Sequence, residues 1–215
     1  MRRLFLLLIM FLAFKSFSQE VDLKKVEKIS SILCDCLKLN KEKSDTIRVD
    51  ECSQALIDGL SVVKNESLKN AYAQKSDTYL QRKCLEYARI TLNSFPASDV
   101  ELVSKSIFDK YNRNALNNVL GKYTYTDFIG DTFEVLISKS LWVERISSSN
   151  LNVKFFINKN EKKLIFEESN HSFFNDFYKK GEKIEIRYKQ DSKGKLNVIF
   201  NLGNNIYLKK RLTRL

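Results

Sequence analysis

The sequence predicts an α+β fold: an N-terminal disulfide-stapled antiparallel helical bundle, followed by an antiparallel β-meander closed as a small barrel or folded as a sandwich. Near residue 120 the spacing of apolar residues changes from a helical period to alternation. All four cysteines precede that change. The start of the chain has the character of an export signal, which decides how those cysteines are interpreted.

Residues 1–18 have the build of a secretory signal peptide. Arg2 and Arg3 give a basic start, residues 4–14 are an unbroken apolar run, and small residues occupy positions 16 and 18 before a possible cleavage site. The apolar run is too short to span a bilayer, which takes about 20 residues. We therefore expect a cleaved signal peptide and a secreted or periplasmic mature chain, with an uncleaved anchor or a buried helix as the alternative.

The four cysteines predict two disulfides, because an even number of cysteines in an exported chain usually pairs. Residues two apart on a helix lie about 200° apart around its axis. Cys34 and Cys36 should therefore bridge to different helices, one through Cys52 and the other through Cys84, in an order that the spacing leaves open. A four-thiolate zinc site and a redox-active pair are the alternatives, but the C-x-C spacing near a helix end fits neither well.

Residues 19–120 are predicted to form the helical domain, because their apolar residues recur every three or four positions. Pro96 interrupts this pattern. Ser98, with Glu101 three residues later, then forms a capping box that predicts a fourth helix. Three core-facing stripes each include a cysteine: Val26, Ile29, Leu33, Cys36 and Leu37; Cys52, Ala55, Leu56, Leu60 and Val63; Leu80, Cys84, Tyr87, Ala88 and Phe95.

Residues 121–215 are predicted to form the β domain, because apolar and polar residues alternate in short runs such as LNVKFFIN, KIEIRYKQ and KLNVIFNLG. We expect seven or eight strands between residues 122 and 214. Residues 191–195 should form a hairpin loop with Gly194 at the strained position. The stretch NHSFFNDFYKKGE breaks the alternation and predicts a longer loop or a short helix over one end of the sheet.

Positive charge is concentrated in the β domain, where residues 121–215 include 18 basic and 11 acidic residues and 15 aromatic ones. Basic side chains together with stacking aromatics are typical of single-strand nucleic-acid binding. Most of these aromatics, however, alternate onto the core face. The sequence therefore disfavours nucleic acid and favours an envelope protein, an anionic glycan or a lipid surface as the partner. Two basic clusters stand out: Lys209, Lys210, Arg211 and Arg214; Lys179, Lys180 and Lys183.

Signals for catalysis are weak, and we predict no catalytic residue, cofactor or metal. His171 is the only histidine and lies in a polar stretch without a nucleophile-elbow motif. Glu167 and Glu168 are adjacent on a predicted strand, so they face opposite sides and cannot both line one cleft without a bulge. An exported hydrolase with an unrecognised carboxylate-based site remains the alternative function.

A β-barrel of this size can also enclose a small apolar ligand. Alternatively, the aromatic side chains that would line such a cavity or its mouth fill the barrel and complete its core. The functional expectation is a non-enzymatic exported binding or interaction protein whose β domain binds a partner protein, an anionic surface or a small apolar ligand. The candidate ligand-binding residues are Trp142, Phe156, Phe173, Phe174 and Phe177.

Overall fold

A computed structural model of the protein describes residues 21–61, 63–93, 98–111, 116–127, 130–146, 149–191 and 193–215. The predicted signal peptide and Pro96 lie outside these ranges. The chain divides into two compact units, residues 1–87 and 88–215. The sequence places the division at residue 120, where the apolar spacing changes from helical to alternating. The α+β fold, with helices first and an antiparallel barrel second, is confirmed.

Four helices occupy the first part of the chain: α1 (Leu23–Leu39), α2 (Asp45–Ser61), α3 (Glu66–Lys83) and α4 (Leu85–Asn93), the last of which crosses the limit between the units. Two of them begin at side-chain caps. The carboxylate of Asp22 accepts the backbone N–H of Lys24, and the amide oxygen of Asn65 accepts that of Leu68. Each cap satisfies a backbone donor that the first turn of a helix leaves unpaired.

The helical unit has an apolar core formed by α1, α2, α3 and the segment after α2. Gly59 on α2 allows a close approach to α1, because a Cβ at this position would lie 3.1 Å from the side chain of Ile29. The core comprises Val26, Ile29, Leu60, Val63 and Tyr72. All of these except Tyr72 lie on the stripes predicted from the apolar spacing, so the helical pattern identified the buried side of α1 and α2.

All four cysteines form disulfides, as predicted, and the pairs are Cys34–Cys84 and Cys36–Cys52. The two cysteines of α1 therefore reach different partners, one within α2 and the other directly after α3. At Cys84 the backbone is extended, with φ −117° and ψ 101°, so the single stripe predicted over residues 80–95 is divided between α3 and α4. With every thiol oxidised, no cysteine is left to bind zinc.

Arg48 on α2 joins three helices through one buried guanidinium that is only 2% exposed. Its Nη2 donates to the carbonyl oxygen of Leu37 at 2.7 Å and to Glu86 Oε2 on α4 at 2.8 Å. Its Nη1 donates to Asp45 Oδ1 at 3.1 Å. Leu37 lies in the last turn of α1, where the helix leaves carbonyls without an internal partner. The guanidinium thus caps one helix while its charge is balanced by carboxylates.

The second unit is an antiparallel barrel whose interior holds the main apolar core. Its eight described strands are β2 (Gly121–Thr126), β3 (Thr132–Ile137), β4 (Leu141–Ile146), β5 (Asn152–Asn158), β6 (Lys163–Ser169), β7 (Lys183–Gln190), β8 (Leu196–Asn201) and β9 (Tyr207–Arg214). Four shorter elements accompany them: β1 (Val100–Val103), α5 (Lys105–Asp109), a 3-10 turn (Leu116–Val119) and α6 (Ser172–Phe177).

The last strand closes the barrel, so the barrel is correct and the sandwich is not. Along one edge β9 pairs with β8 over the full length of β8. Its other edge pairs first with β1 and then with β2, where Thr213 faces Thr124. Closure leaves the strands of the barrel without a long open edge, which is how such folds avoid pairing with other chains.

The predicted fourth helix is wrong over residues 100–103, which form β1 instead. Val100 is buried in the barrel core, and Glu101 faces Lys209 of β9 and accepts a hydrogen bond from its Nζ at 2.6 Å. The hydroxyl of Ser98 donates to the carbonyl of Val100 and accepts its N–H rather than capping a helix. Pairing with β9 thus overrides the local capping signal, and the helix that follows, α5, is only five residues long.

The segment after β1 covers the outer face of the barrel beside β8 and β9. Phe108 of α5 packs on Ile199 and Tyr207, and all three side chains are buried although the latter two point away from the barrel interior. Arg187 of β7 lies over the Phe108 ring at 4.2 Å from its centroid and forms an ion pair with Asp109 at 3.3 Å. An apolar patch on this side of the barrel is therefore covered by the chain itself.

The hairpin between β7 and β8 forms as predicted. Asp191 donates its backbone N–H to the carbonyl of Lys195, and its carboxylate accepts the backbone N–H groups of Lys193 and Lys195. Gly194 has φ +78°, a conformation that favours glycine.

The two disulfides should contribute unequally to stability. They close loops with sequence separations of 50 and 16 residues, and restriction of the unfolded chain grows with loop length. We expect Cys34→Ser/Cys84→Ser to lower the free energy of unfolding by about 4 kcal/mol, and Cys36→Ser/Cys52→Ser by about 3 kcal/mol. Urea denaturation followed by helical circular dichroism measures both. Free thiols in the native protein, or a reversed order of the two losses, would contradict the pairing.

Asp77 on α3 is a carboxyl group whose protonation should affect the stability of the helical unit. It accepts a hydrogen bond from the Tyr87 hydroxyl at 2.6 Å and one from Gln81 Nε2 at 2.9 Å. Burial raises its pKa to about 6, although both hydrogen bonds act in the opposite direction. The folded state therefore binds a proton more tightly than the unfolded chain does, between about pH 4 and 6.

The contribution of Asp77 to stability should be largest below about pH 4 and should be lost as the pH rises through about 6. Relative to Asp77→Asn, which cannot titrate, the parent protein should lose on the order of 2 kcal/mol across this range. Urea denaturation at several pH values measures the difference. Asp35→Asn, at an exposed position on α1, is the control and should leave the pH profile of the parent unchanged.

Candidate functional site

A buried polar cluster lies inside the barrel, centred on Glu144 of β4. Lys210 of β9 donates to both carboxylate oxygens of Glu144, at 2.8 and 2.7 Å. Trp142 Nε1 donates to Oε1 and the Tyr125 hydroxyl donates to Oε2, each at 2.8 Å. Lys210 also donates to the Tyr125 hydroxyl at 3.1 Å. The four side chains thus satisfy one another in an apolar surrounding.

The electrostatics of this cluster indicate a structural role. The ammonium of Lys210 lies 4.8 Å from the centroid of the Tyr125 ring and 4.9 Å from that of Phe200, distances at which cations are attracted to aromatic faces. Burial, reinforced by the negative charge of Glu144, holds the pKa of the Tyr125 hydroxyl well above its usual value. Tyr125 therefore remains a protonated donor, and the Glu144 carboxylate is fully occupied by its partners.

The basic C-terminal cluster predicted from the sequence is divided between the two faces of β9. Lys210 is buried inside the barrel, whereas Lys209 and Arg211 lie outside and pair with Glu101 at 2.6 and 3.7 Å. The sequence indicates this division, because residues two apart on a strand share a face and Lys210 therefore lies on the same face as Leu208 and Leu212. A lysine flanked in this way by two leucines predicts a buried cation, which needs a buried acid.

Side chains fill the barrel interior. Trp142 contacts Phe200 edge to face, with ring centroids 5.6 Å apart. A depression beside Leu116, Ile157 and Ile186 encloses only about 10 Å³, which is room for one water molecule. The described interior therefore offers little space for a small ligand. The interior side chains with exposure of 2% or less include Trp142, Phe155, Leu164, Val198, Phe200 and Leu212.

The candidate ligand-binding residues are not brought together around one cavity. Trp142 is fully buried in the barrel interior, whereas Phe156 of β5 is 45% exposed on the outer face. Phe173, Phe174 and Phe177 lie on α6, where their rings contact one another. The five residues therefore occupy three separate places in the barrel unit.

The irregular stretch contains a short helix, α6, which agrees with one of the two predictions made for it. His171 caps this helix, because its Nδ1 accepts the backbone N–H of Phe173 at 3.2 Å. Tyr178, which follows the helix, is buried against Phe155 and Phe166 with ring centroids 5.3 and 5.2 Å away. The only histidine thus has a structural position, and the aromatic residues of this stretch extend the barrel core.

An apolar patch lies on the outer side of the barrel across β3, β4, β5 and β6. We name it the β3–β6 face, and it consists of Leu136, Leu141, Val143, Phe156 and Ile165. The strand register makes it continuous, since Leu136 faces Val143, and Phe156 faces Leu141 on one side and Ile165 on the other. Leu136 and Phe156 are each 45% exposed. Side chains of this size rarely cluster in solvent without a partner.

The carboxylates considered for hydrolysis have other contacts. Glu168 forms an ion pair with Lys154 at 2.7 Å, and the hydrogen bond from Lys154 holds its pKa below the usual value. The register of β5 and β6 shifts here, so Glu168 faces Lys154 while Glu167 has no register partner on β5. Within the described ranges, no group of three or more histidine, cysteine or acidic residues is arranged to hold a metal ion.

None of the helices in the described part of the chain is long and apolar enough to cross a membrane. The two disulfides fit a protein that folds in an oxidising compartment. No protein-family model, curated protein or solved structure matches this chain. The candidate site therefore rests on the geometry of the chain itself, and the β3–β6 face is its strongest feature.

The pair of Glu144 and Lys210 should show strong coupling. Glu144→Gln or Lys210→Met alone leaves one buried charge without its counter-ion, which should lower the free energy of unfolding by about 3–5 kcal/mol. The double variant leaves neither charge, so its loss should be at least about 2 kcal/mol smaller than the sum of the two single losses. Urea denaturation followed by fluorescence of Trp142, the only tryptophan, measures all three. Additive losses would contradict the coupling.

Proposed function

We propose that this is an exported interaction protein whose barrel binds a partner protein through the β3–β6 face. The observation that carries the proposal is the exposure of Leu136 and Phe156, each 45%, within a continuous apolar patch. Aromatic and aliphatic side chains that are surrounded by polar residues are typical anchors of protein interfaces.

The other side of the barrel supports this interpretation by contrast. There, Ile199 and Tyr207 also point outward, and Phe108 of α5 covers them. The same kind of apolar surface is thus buried by the chain on one side and left exposed on the other. Among the described residues Leu136 and Phe156 remain exposed, and we propose that a partner protein buries them.

The filled interior favours a protein partner over a small apolar ligand. A carrier needs a cavity of several hundred Å³, whereas aromatic rings and the buried ion pair of Glu144 and Lys210 occupy the centre of this barrel. Export by a signal peptide at residues 1–18 is part of the proposal, and two disulfides in the helical unit are consistent with it. The partner would then be another secreted or envelope protein.

Position-specific photo-crosslinking in the natural host tests the proposal. A benzoylphenylalanine at Phe156 should give a discrete adduct with one protein, because this ring would be buried on binding. The same residue at Lys189, an exposed position on β7, is the matched control and should give none. Leu136→Asp should abolish the adduct at position 156 by placing a charge in the apolar contact.

The proposal fails if no adduct forms at Phe156, or if positions 156 and 189 give the same adducts. Fluorescence of Trp142 monitors folding of each variant, since this side chain is fully buried in the barrel. Native mass spectrometry of protein from the same cells provides a second measurement. A bound small molecule that survives Leu136→Asp would favour the carrier alternative instead.

A further inference from the structure

We infer that the partner segment bound by the β3–β6 face is acidic as well as apolar. This inference rests on the proposed function, and it adds the charge that the partner must carry. It is derived from the lysines that border the face and from the ion pairs that those lysines do or do not form. Electrostatic complementarity of this kind selects partners and accelerates association.

Three lysines that border the face have no ion-pair partner among the described residues. Lys122 of β2 faces Leu136 in the strand register. Lys139 lies in the turn between β3 and β4, between Ser138 and Leu141, where the backbone N–H of Ser138 donates to the carbonyl of Leu141. Lys159 follows β5, whose Ile157 N–H donates to the carbonyl of Ser140 in that same turn. The backbone thus places these three residues around one end of the face.

Acids lie near the face mainly towards its other end. Lys154 pairs with Glu168 at 2.7 Å, and its pKa is raised by the hydrogen bond to Glu168 and also by the negative charge of Glu167. Glu134, two residues before Leu136 on the same side of β3, faces Arg145 of β4 in the register. Lys183, which faces Ile165, pairs with Glu161 at 2.8 Å. At the end of the face formed by the turns, the charge without an ion-pair partner among the described residues is positive and comes from Lys122, Lys139 and Lys159.

A protein segment fits this surface better than an anionic membrane does. Proteins that insert into a membrane interface place apolar side chains where they can enter the lipid first. Here the turns at the end of the face are polar, with the sequences SKS at residues 138–140 and NKN at residues 158–160. Phe156 and Leu136 lie behind these turns on the strands, so insertion would have to bury the polar turns as well.

A second copy of the same chain fits less well. In a two-fold symmetric contact the same patch meets itself, so the contact would contain the unpaired lysines of both copies. Like charges gathered in one interface weaken association. An acidic partner removes this repulsion and replaces it with attraction, whereas the apolar contact is the same in both cases.

A displayed library of random peptides, selected on the purified full chain, tests the inference. Peptides that also bind the double variant Leu136→Ser/Phe156→Ser are removed by counter-selection, and the survivors are measured by fluorescence anisotropy. We expect survivors that combine apolar residues with a negative net charge. Each substitution Lys122→Gln, Lys139→Gln and Lys159→Gln should weaken binding about two- to fivefold, the range for exposed ion pairs.

Lys189→Gln, which removes an exposed lysine elsewhere on the barrel, is the control and should leave the affinity unchanged. Raising the salt concentration from about 50 to about 500 mM should also weaken binding, because it screens exposed charges. Selected peptides without a net negative charge, whose affinity is the same for the parent and the three lysine variants, would contradict an acidic partner. They would not contradict the proposed interface. Failure to recover any peptide that distinguishes the double variant would overturn both.

Vesicles that contain phosphatidylglycerol provide the remaining comparison. The inference expects no binding to them that depends on Phe156. Binding that is lost in Phe156→Ser, together with no selected peptide, would identify a lipid surface as the ligand and overturn the inference. Leu136 and Phe156 lie outside the barrel core, so we expect the serine variants to fold. Fluorescence of Trp142 checks this.

Discussion

Closure of the barrel by β9 is the constraint on which the rest of the second unit depends. The strand is hydrogen-bonded along both edges, so its side chains must alternate between the interior and the outside. This alternation forces Lys210 inward, although its neighbours Lys209 and Arg211 remain outside. A buried ammonium is costly unless an acid meets it, and Glu144 on the opposite side of the barrel supplies that acid. Closure of the barrel therefore buries Lys210, and the ion pair with Glu144 offsets the cost of that burial.

Because side chains fill the described interior of the closed barrel, we place the proposed binding function on its outside. Trp142 and Phe156 illustrate this, because they face opposite sides of β4 and β5 and so belong to the core and to the surface respectively. Their sequence contexts are similar, with an aromatic residue in an apolar run. Only the strand register distinguishes a side chain that stabilises the fold from one that is available for a partner.

The sequence predicts most of the fold because local patterns and tertiary packing agree there. Alternation identifies the barrel strands, and the helical stripes identify the core of α1 and α2. The sequence fails at β1, where the capping signal of Ser98 and Glu101 is weaker than the pairing with β9. Of the candidate site, the aromatic residues could be named in advance. Their division between core and surface could not, because it depends on which strands become neighbours and on what α5 covers.

The two outward-facing apolar patches of the barrel differ in whether another described element of the chain packs over them. Beside β8 and β9, the chain devotes α5 and the cation–π contact of Arg187 with Phe108 to burying such a patch. A comparable cover over Leu136 and Phe156 is lacking in the described residues, although exposed apolar side chains of this size promote nonspecific association. In the interaction that we propose, the unpaired lysines at the border would disfavour self-association, because like charges repel, while leaving the apolar contact available. An apolar surface with such a border is thus what we expect of a protein that binds a partner of opposite charge.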